Sequence, residues 1–346
     1  MKTVSIEFWA GQLRGGGPNN ATRIAAFPPA PAAVGTFDVR AAFVEAYARF
    51  APVCRAVDEP GVAVLAIDEV SGMPAGIVCV RARVDRHVVA IVGRHDRCDL
   101  FLASKAALAL RQLAVVVSPV RSWGAGSSDV TFRILDLRTT DGMRDEEHRE
   151  LRGLRAEGAA IVRCAGYLVL ALPLGDATDW PASGADAWAY LPERVYFDEL
   201  VHPADGSAVH PPAKWHRSDH TTVVTRTHGP REPGMQLVVG DDLAGTLQLA
   251  GPESRGTLAI GHAALRDGVL LGRYARCNGA ALASDGSLSR VHALLLQADD
   301  RLLMIDTASS FGTRRVGDAD ARVLELTSGS ELELATETRV RWTWTS

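Results

Sequence analysis

The sequence predicts an all-β protein: two copies of one β module joined by a partly ordered linker, with an N-terminal arm and helix ahead of them. Three observations carry this reading. Short apolar runs separated by Gly, Asp, Asn and Ser turns fill residues 61–174 and resume from Met235 to the end. The two stretches lie over one another as an internal repeat. The closing TRVRWTWTS alternates strictly. Val340, Trp342 and Trp344 face one way and Arg339, Arg341 and Thr343 the other, the pattern of a half-buried strand.

Residues 1–57 form the arm and helix. The arm, 1–36, is rich in Gly and Pro (RGGGPNN, AFPPAPAAVG), with TVSIEFW as a short strand it could tuck away. FDVRAAFVEAYARFAPVCRAV, 37–57, reads as a helix. Phe43, Tyr47, Phe50 and Cys54 follow i, i+4, i+7, i+11 on one face, which is expected to pack on the next domain. Residues 58–175 carry the first β module, with HVVAIVGR, LALRQLAVVV, VTFRILDLR and GAAIVRCAGYLVLALPLG its clearest runs. Residues 176–233 are rich in Pro and His, lack periodicity and read as linker; only DAWAYLPERVYFDEL hints at a short packed element. Residues 234–346 carry the second β module.

Length and composition bound the function. A chain of 346 residues suits two domains with an extension, and 47 % apolar residues supply real cores. A net charge of −4 with mixed signs throughout argues against a general nucleic-acid binder, which needs a basic face. Lysine occurs only at Lys2, Lys105 and Lys214, an arginine-dominated usage consistent with a GC-rich bacterial genome. Cys54, Cys79, Cys98, Cys164 and Cys277 lie far apart with no C-x-x-C pair, which suits a reducing cytoplasm. With no signal-like opening and no run of about 18 apolar residues, a cytoplasmic protein without membrane insertion is expected. His202, His210, His216 and His220 are too loosely spaced for a structural metal site, so solvated linker histidines are expected and no metal. No Walker loop, H-E-x-x-H or G-x-S-x-G is present; neither a cofactor nor catalysis is expected.

The repeat brings polar residues into register. Gly93-Arg94 and Gly272-Arg273 each end an apolar strand, and Cys98-Asp99 and Cys277-Asn278 follow at the same spacing. ILDLRTTDGM, 134–143, parallels MIDTASSFGT, 304–313. That matches Asp136 with Asp306, Thr139 with Ser309 and Gly142 with Gly312. The second copy therefore presents, in order, Gly272-Arg273, Ser289-Arg290-Val291-His292 and Asp306-x-x-Ser309-x-x-Gly312-Thr313.

This order resembles the forkhead-associated (FHA) domain pattern over residues 240–346, and more weakly over 60–175. The resemblance implies two FHA-like β-sandwiches, with the end loops of the motif-bearing copy gripping phosphothreonine. The chemistry suits the residues. A phosphate at neutral pH carries close to two negative charges and strong acceptors. An arginine offers a charge-assisted donor and a serine hydroxyl a short second one; without both, a desolvated phosphate stays uncompensated. On the resemblance, Arg273 and Ser289 hold the phosphate and Arg290 reaches the ligand's backbone or phosphate. Ser309, Phe311, Gly312 and Thr313 belong to the neighbouring ligand loop, and Gly272, His292 and Asp306 support the loops from inside. The family usually has Asn where this chain has Phe311, whose side chain makes no hydrogen bond. That departure puts peptide affinity and the choice of flanking residues in question, and an apolar contact could replace the lost one.

In the first copy Arg94 keeps the arginine position. With Arg111-Gln112 at the Arg-His place, the serine slot holds Ala109, the histidine slot holds Gln112, and the final loop reads Asp141-Gly142-Met143. A degenerate module that keeps the fold and has lost the site is expected; a reshaped site on Arg94 and Arg111 is the alternative. For the second copy the plain alternative is a surface arginine beside a turn serine, with Arg290 in an exposed ion pair worth little. Thr221, Thr222, Thr225 and Thr227 read as an ordinary polar linker, or as kinase substrates whose product the second module binds. The function expected is a phosphothreonine-dependent adaptor: it binds a phosphothreonine-containing protein, with a Ser/Thr protein kinase upstream. The alternative is a phosphate-independent assembly subunit of a multiprotein machine such as a secretion system.

Overall fold

A computed structural model of the chain describes residues 37–120, 130–175, 180–191, 235–240, 242–252, 255–279 and 285–345, together with the backbone of the strand at 21–24. It divides into two compact units, Met1–Asp198 and Glu199–Ser346. Each is a two-sheet β-sandwich.

The first unit contains β1 (Ala21–Ile24), α1 (Val39–Arg55), β2 (Gly61–Asp68), β3 (Pro74–Arg81), β4 (Val88–Gly93), β5 (Leu100–Phe101) and β6 (Leu113–Val117). It continues with β7 (Thr131–Asp136), β8 (Met143–Arg144), β9 (Glu150–Leu151), β10 (Gly153–Glu157), β11 (Ala160–Cys164), β12 (Tyr167–Leu174) and α2 (Gly184–Tyr190). One sheet has the order β1-β3-β2-β12-β11-β8-β9 and the other β10-β7-β6-β4-β5. Val64, Val92, Val115, Phe132 and Val169 fill the space between them. A second core lies on the outer face of the larger sheet, where Phe43, Tyr47 and Phe50 of α1 meet Leu65, Ile77 and Leu170. Gly61 through Ile67 of β2 are consequently buried on both faces. An antiparallel sheet with one wet face alternates apolar and polar residues; here α1 removes the wet face, so the strands read as unbroken apolar runs.

The helix is fixed at both ends. Asp38 caps it by accepting the Arg40 N–H at 2.9 Å. Near its far end Arg55 donates to the Trp180 and Pro181 carbonyls at 3.0 and 2.6 Å, and the Tyr47 hydroxyl donates to Pro181 O at 2.7 Å. Ser183 caps α2 by accepting the Asp186 N–H at 3.1 Å. Gly184 lets the two helices touch, since a Cβ there would stand 2.8 Å from Tyr47 Cβ. Residues 180–191, which the sequence assigns to the linker, are thus part of the first unit's outer core, with Trp180 buried in it. The rest of the linker, with its histidines and threonines, lies outside the described residues, as does TVSIEFW. The described N-terminal strand is β1, antiparallel to β3 from Ala21 opposite Val80 to Ile24 opposite Ile77.

The second unit contains β13 (Met235–Val239), β14 (Leu243–Ala250), β15 (Arg255–Gly261), α3 (His262–Asp267), β16 (Val269–Leu271) and β17 (Ala293–Ala298). After these come β18 (Arg301–Asp306), β19 (Thr313–Arg315), β20 (Val323–Leu326), β21 (Glu331–Leu334) and β22 (Thr338–Trp344). Its sheets are ordered β13-β15-β14-β22-β21-β19 and β16-β17-β18-β20. Leu247, Leu258, Ile260, Leu295, Met304 and Trp342 lie between them. In β22 Val340 and Trp342 are buried while Arg339 and Arg341 are exposed, as the alternation requires. The repeat holds to the residue: Leu113 faces Asp136 in the first unit as Ala293 faces Asp306 in the second. The edges differ, for β13 runs parallel to β15 whereas β1 runs antiparallel to β3. Among the described residues no helix is long and apolar enough to cross a membrane.

Trp342 is fully buried and leaves no room for a Cβ at Gly245, which would lie 2.3 Å from its ring. Trp342→Ala is expected to destabilise the second unit by about 3–5 kcal/mol. Guanidinium denaturation followed by circular dichroism measures this, and a loss below about 1 kcal/mol would contradict the packing described.

Candidate functional site

The loops at one end of the second sandwich bring the sequence motifs together. Strand β16 ends against the backbone of the 285–292 loop, so closely that a Cβ on Gly272 would lie 2.4 Å from Arg290 O. Only glycine fits that approach. Arg273 follows. Its main-chain N–H donates to Ser289 O at 3.3 Å and its Nε donates to Leu288 O at 2.7 Å. The guanidinium is held at the mouth by its inner edge, with Arg273 itself exposed. The Tyr274 N–H and the Cys277 thiol both donate to the Arg290 carbonyl, at 2.9 and 3.3 Å.

The loop bearing Ser289 starts from a buried carboxylate. Asp285 accepts the Ser287 N–H and hydroxyl at 2.7 and 2.5 Å, the Thr338 hydroxyl at 3.0 Å and the Glu337 N–H at 3.3 Å. Burial pushes its pKa up, but hydrogen bonds from Ser287, Thr338 and Glu337 outweigh burial and hold the carboxyl below its usual range. The loop is thereby tied to the turn between β21 and β22.

His292 joins this loop to the next. Fully buried, it accepts the Ser289 N–H at Nδ1, 3.1 Å away. The ring proton therefore sits on Nε2, which donates to Gly312 O at 3.0 Å. Ser289 Oγ accepts the Ser310 N–H at 3.0 Å, which leaves its own proton available to a ligand.

Asp306 organises the 307–313 loop. Its Oδ1 accepts the Ser309 N–H at 2.8 Å, and its Oδ2 accepts the Ser309 and Thr313 hydroxyls at 2.5 and 2.9 Å. Arg322 donates to its carbonyl at 3.0 Å and pairs with Oδ1 at 3.4 Å. Ser309 Oγ in turn accepts the Gly312 N–H at 2.9 Å. Gly312 has φ of +78°, the left-handed region that favours glycine.

Not every residue of the motif faces the mouth. Ser309 and Thr313, grouped by sequence with the ligand loop, turn inward: they are 2 % and 0 % exposed and their hydroxyls are engaged by Asp306. Gly312 is also buried and gives its carbonyl to His292. These three hold the loop from inside. The mouth is left to Arg273, Ser289, Arg290 and Phe311; Arg290 is exposed and Phe311 is half-exposed. Sequence reasoning missed Asp285, Arg322 and the Ser310 N–H. The Asp285-x-Ser287 spacing, typical of an Asx turn, was the one signal that could have found the first.

The first unit keeps the frame and changes the mouth. Arg94 Nε donates to Leu108 O at 2.9 Å and its N–H to Ala109 O at 3.0 Å. Ala109 stands where the second unit has Ser289. Gln112 stands where it has His292: its Oε1 accepts the Ala109 N–H at 3.0 Å, and its Nε2 donates to Thr139 Oγ1 at 2.5 Å and Gly142 O at 3.2 Å. Thr139 is held by Asp136 as Ser309 is by Asp306. Arg111 does not take the Arg290 place. It lies one residue before Gln112, at the Val291 position, and is buried, while Leu110 stands opposite Arg290. Asp141 occupies the Phe311 position and is exposed. The first mouth thus keeps the arginine at the Arg273 position, lacks the serine and the Arg290 equivalent, and gains a carboxylate. Among the described residues, no group of three or more His, Cys, Asp or Glu is placed to hold a metal.

No family model and no curated protein matches the sequence. Solved structures do, FHA domains among them. One, from work on phosphothreonine-dependent FHA domain interactions, is 20 % identical and covers 30 % of this chain and 98 % of its own length, with a TM-score of 0.25. The FHA-1 domain of Rv1747 from Mycobacterium tuberculosis is also 20 % identical, over 30 % of this chain and 99 % of that one, with a TM-score of 0.24. The kinase-interacting FHA domain of an Arabidopsis kinase-associated protein phosphatase is 24 % identical over 30 % of this chain and 96 % of that one, again with a TM-score of 0.24.

Two outcomes test the frame. Gln112 performs the double task of His292, so His292→Gln is expected to cost under about 1.5 kcal/mol, whereas His292→Ala, which leaves the Ser289 N–H without its acceptor and empties a fully buried site, costs about 2–4 kcal/mol. Equal losses in urea melts would refute the equivalence. Asp285 has a folded pKa below its unfolded value, so it contributes stability above about pH 4 that is lost as pH falls through the folded value. Asp285→Asn should therefore be less stable than the parent at neutral pH and converge with it in strong acid. A constant gap down to about pH 2 would show that the carboxylate is not the cause.

Proposed function

We propose that the second unit is a phosphothreonine-dependent protein-binding module of FHA type, and that the chain acts as an adaptor in Ser/Thr kinase signalling in the cytoplasm. One observation carries the reading: Arg273 and Ser289 are held side by side by the Arg273 N–H on Ser289 O, with a guanidinium edge and a hydroxyl proton left for a ligand. A phosphoryl group fits that pair. Arginine supplies charge-assisted donors and Ser289 a short neutral one, and Arg290 adds a second cation at the rim. Both donors are fixed before the ligand arrives, by Leu288 O, His292 and the Ser310 N–H, so little ordering is left to oppose binding. A kinase acting on the partner would create the dianion and with it the affinity. The preference for threonine rests on the motif resemblance alone.

The first unit, with Ala109, Leu110 and Asp141 at its mouth, is a phosphate-independent scaffold in this reading. Those three residues also favour the second reading, a constitutive assembly subunit of a multiprotein machine. The two differ in whether partner capture survives phosphatase treatment.

Full-length protein is expected to bind phosphothreonine peptides from a degenerate library and to ignore their unphosphorylated forms. Arg273→Ala and Ser289→Ala should each weaken binding roughly tenfold to a hundredfold, the worth of a hydrogen bond to a charged group. Binding that is indifferent to phosphate or to both substitutions would establish the assembly reading.

A further inference from the structure

The repeat that aligns the two mouths also aligns the strands behind them. Gly142 matches Gly312, so Arg144 of β8 matches Arg314 of β19. In the second unit Arg314 stands opposite Glu333 of β21 and donates to it at 2.9 Å, with Asp320 as a further acid at 3.2 Å. In the first unit Arg144 stands opposite Arg163 of β11. Like charges directly across a ladder are destabilising, and an anion set between them removes the penalty. Lys105 repeats the reversal, for it precedes Ala109 by four residues as Asp285 precedes Ser289. It pairs with Asp68 at 2.9 Å and donates to Gly166 O. This end of the first sandwich has bases at two matched positions where the second has acids.

A cavity of about 450 Å³ opens here, and Arg144, Arg163, His148, Glu69, Asp141 and Cys164 lie on its wall. Ala107, also on the wall, takes the position of Ser287, whose hydroxyl in the second unit is bonded to Thr336 at 2.8 Å. Arg163 is only 9 % exposed. Its Nη1 donates to Glu69 and its guanidinium lies 5.5 Å from the Phe37 ring centroid, but its Nε meets no acceptor among the described residues. Arg144 is exposed and makes no ion pair among the described residues. His148, at φ +65°, is presented by a turn that buried Asp145 ties by accepting the Glu147 and Arg149 N–H groups, each at 2.9 Å. Cys164 adds no charge, since burial pushes its thiol pKa up to about 12.

We propose that this cavity of the first unit binds a carboxylate, carried by a small organic acid or by a Glu or Asp side chain of a partner, between Arg144 and Arg163 with His148 at its edge. The site is independent of the phosphopeptide reading of the second unit. Guanidinium forks match a carboxylate bidentately. The acids on the wall select the charge of the ligand. Glu69 is spent on Arg163, while Asp141 opposes a dianion about twice as strongly as a monoanion. One carboxylate is thus favoured over a phosphoryl group, which carries close to two negative charges. The volume lies toward the small end of ligand pockets and suits a single acidic side chain or a small acid.

The test is isothermal titration calorimetry on full-length protein at fixed ionic strength. The probes are acetate, butyrate, benzoate, inorganic phosphate, and an alanine-based pentapeptide blocked at both ends with Glu or Gln at its centre. At least one carboxylate probe is expected to bind, to weaken about tenfold or more in Arg144→Ala and to tighten about twofold or more in Asp141→Asn. Both residues are exposed, so neither substitution touches the core. Binding of a free acid identifies a small-molecule ligand, and binding of the Glu but not the Gln peptide identifies a partner's side chain; either supports the site. Phosphate binding more tightly than every carboxylate would overturn the choice of anion. Weaker binding in Asp141→Asn, binding lost in Arg273→Ala instead of Arg144→Ala, or no binding of any probe up to about 10 mM would overturn the site itself.

Discussion

The Asp306 carboxylate is the fixed point from which the mouth of the second unit is built. A buried carboxylate is costly unless it is fully hydrogen-bonded. Here two oxygens accept one N–H and two hydroxyls, with Arg322 as counter-charge. Charge-assisted bonds of this kind are short and directional, and they fold the 307–313 segment without any regular ladder. Gly312 is then placed so that its carbonyl meets His292, His292 fixes the Ser289 N–H, and the Ser310 N–H closes on Ser289 Oγ. The position of the Ser289 hydroxyl is thus dictated by a buried charge on the next loop.

The two units separate frame from chemistry. Asp136, Thr139 and Gln112 reproduce the inner network with a different side chain at its centre. An amide and an imidazole can both present one acceptor and one donor to opposite sides, so the loops keep their shape. What changes is the outermost layer, where Ala109, Leu110 and Asp141 replace a hydroxyl, a guanidinium and a phenyl ring. Loop architecture and the chemistry of the exposed end differ independently between the two units.

The fold was largely legible because hydrophobic periodicity is local. The helical face of Phe43, Tyr47, Phe50 and Cys54 and the alternation of Val340 and Trp342 are visible without knowing their partners. The packing of residues 180–191 was not, since it depends on Trp180 and Pro181 meeting Tyr47 and Arg55 across more than a hundred residues of chain. The motif order could be read in the same way, but not the direction of its side chains. A serine in a loop looks alike whether its hydroxyl faces a carboxylate or water, so Ser309 and Ser289 could not be told apart. Arg111 misled for a related reason: a one-residue shift changes the face on which a side chain emerges, and the register is fixed by bonds the sequence does not show, those of Gln112 to Ala109 and Gly142 and of the Arg94 N–H to Ala109 O.

The segments that follow β16 and β4 hold a thiol each. Cys277 donates to the Arg290 carbonyl beneath the second mouth, and Cys98 donates to Leu110 O at the matching place in the first. Both sulfurs are buried, and thiol reagents attack the exposed thiolate. Their alkylation is therefore gated by local opening of the loop above them. Each sandwich carries, without any engineering, a chemical clock for the breathing of the loops at this end. In one molecule under one set of conditions, the labelling rates of Cys277 and Cys98 compare the rigidity of a mouth that carries Ser289 and Arg290 with that of a mouth that has Ala109 and Leu110 in their places.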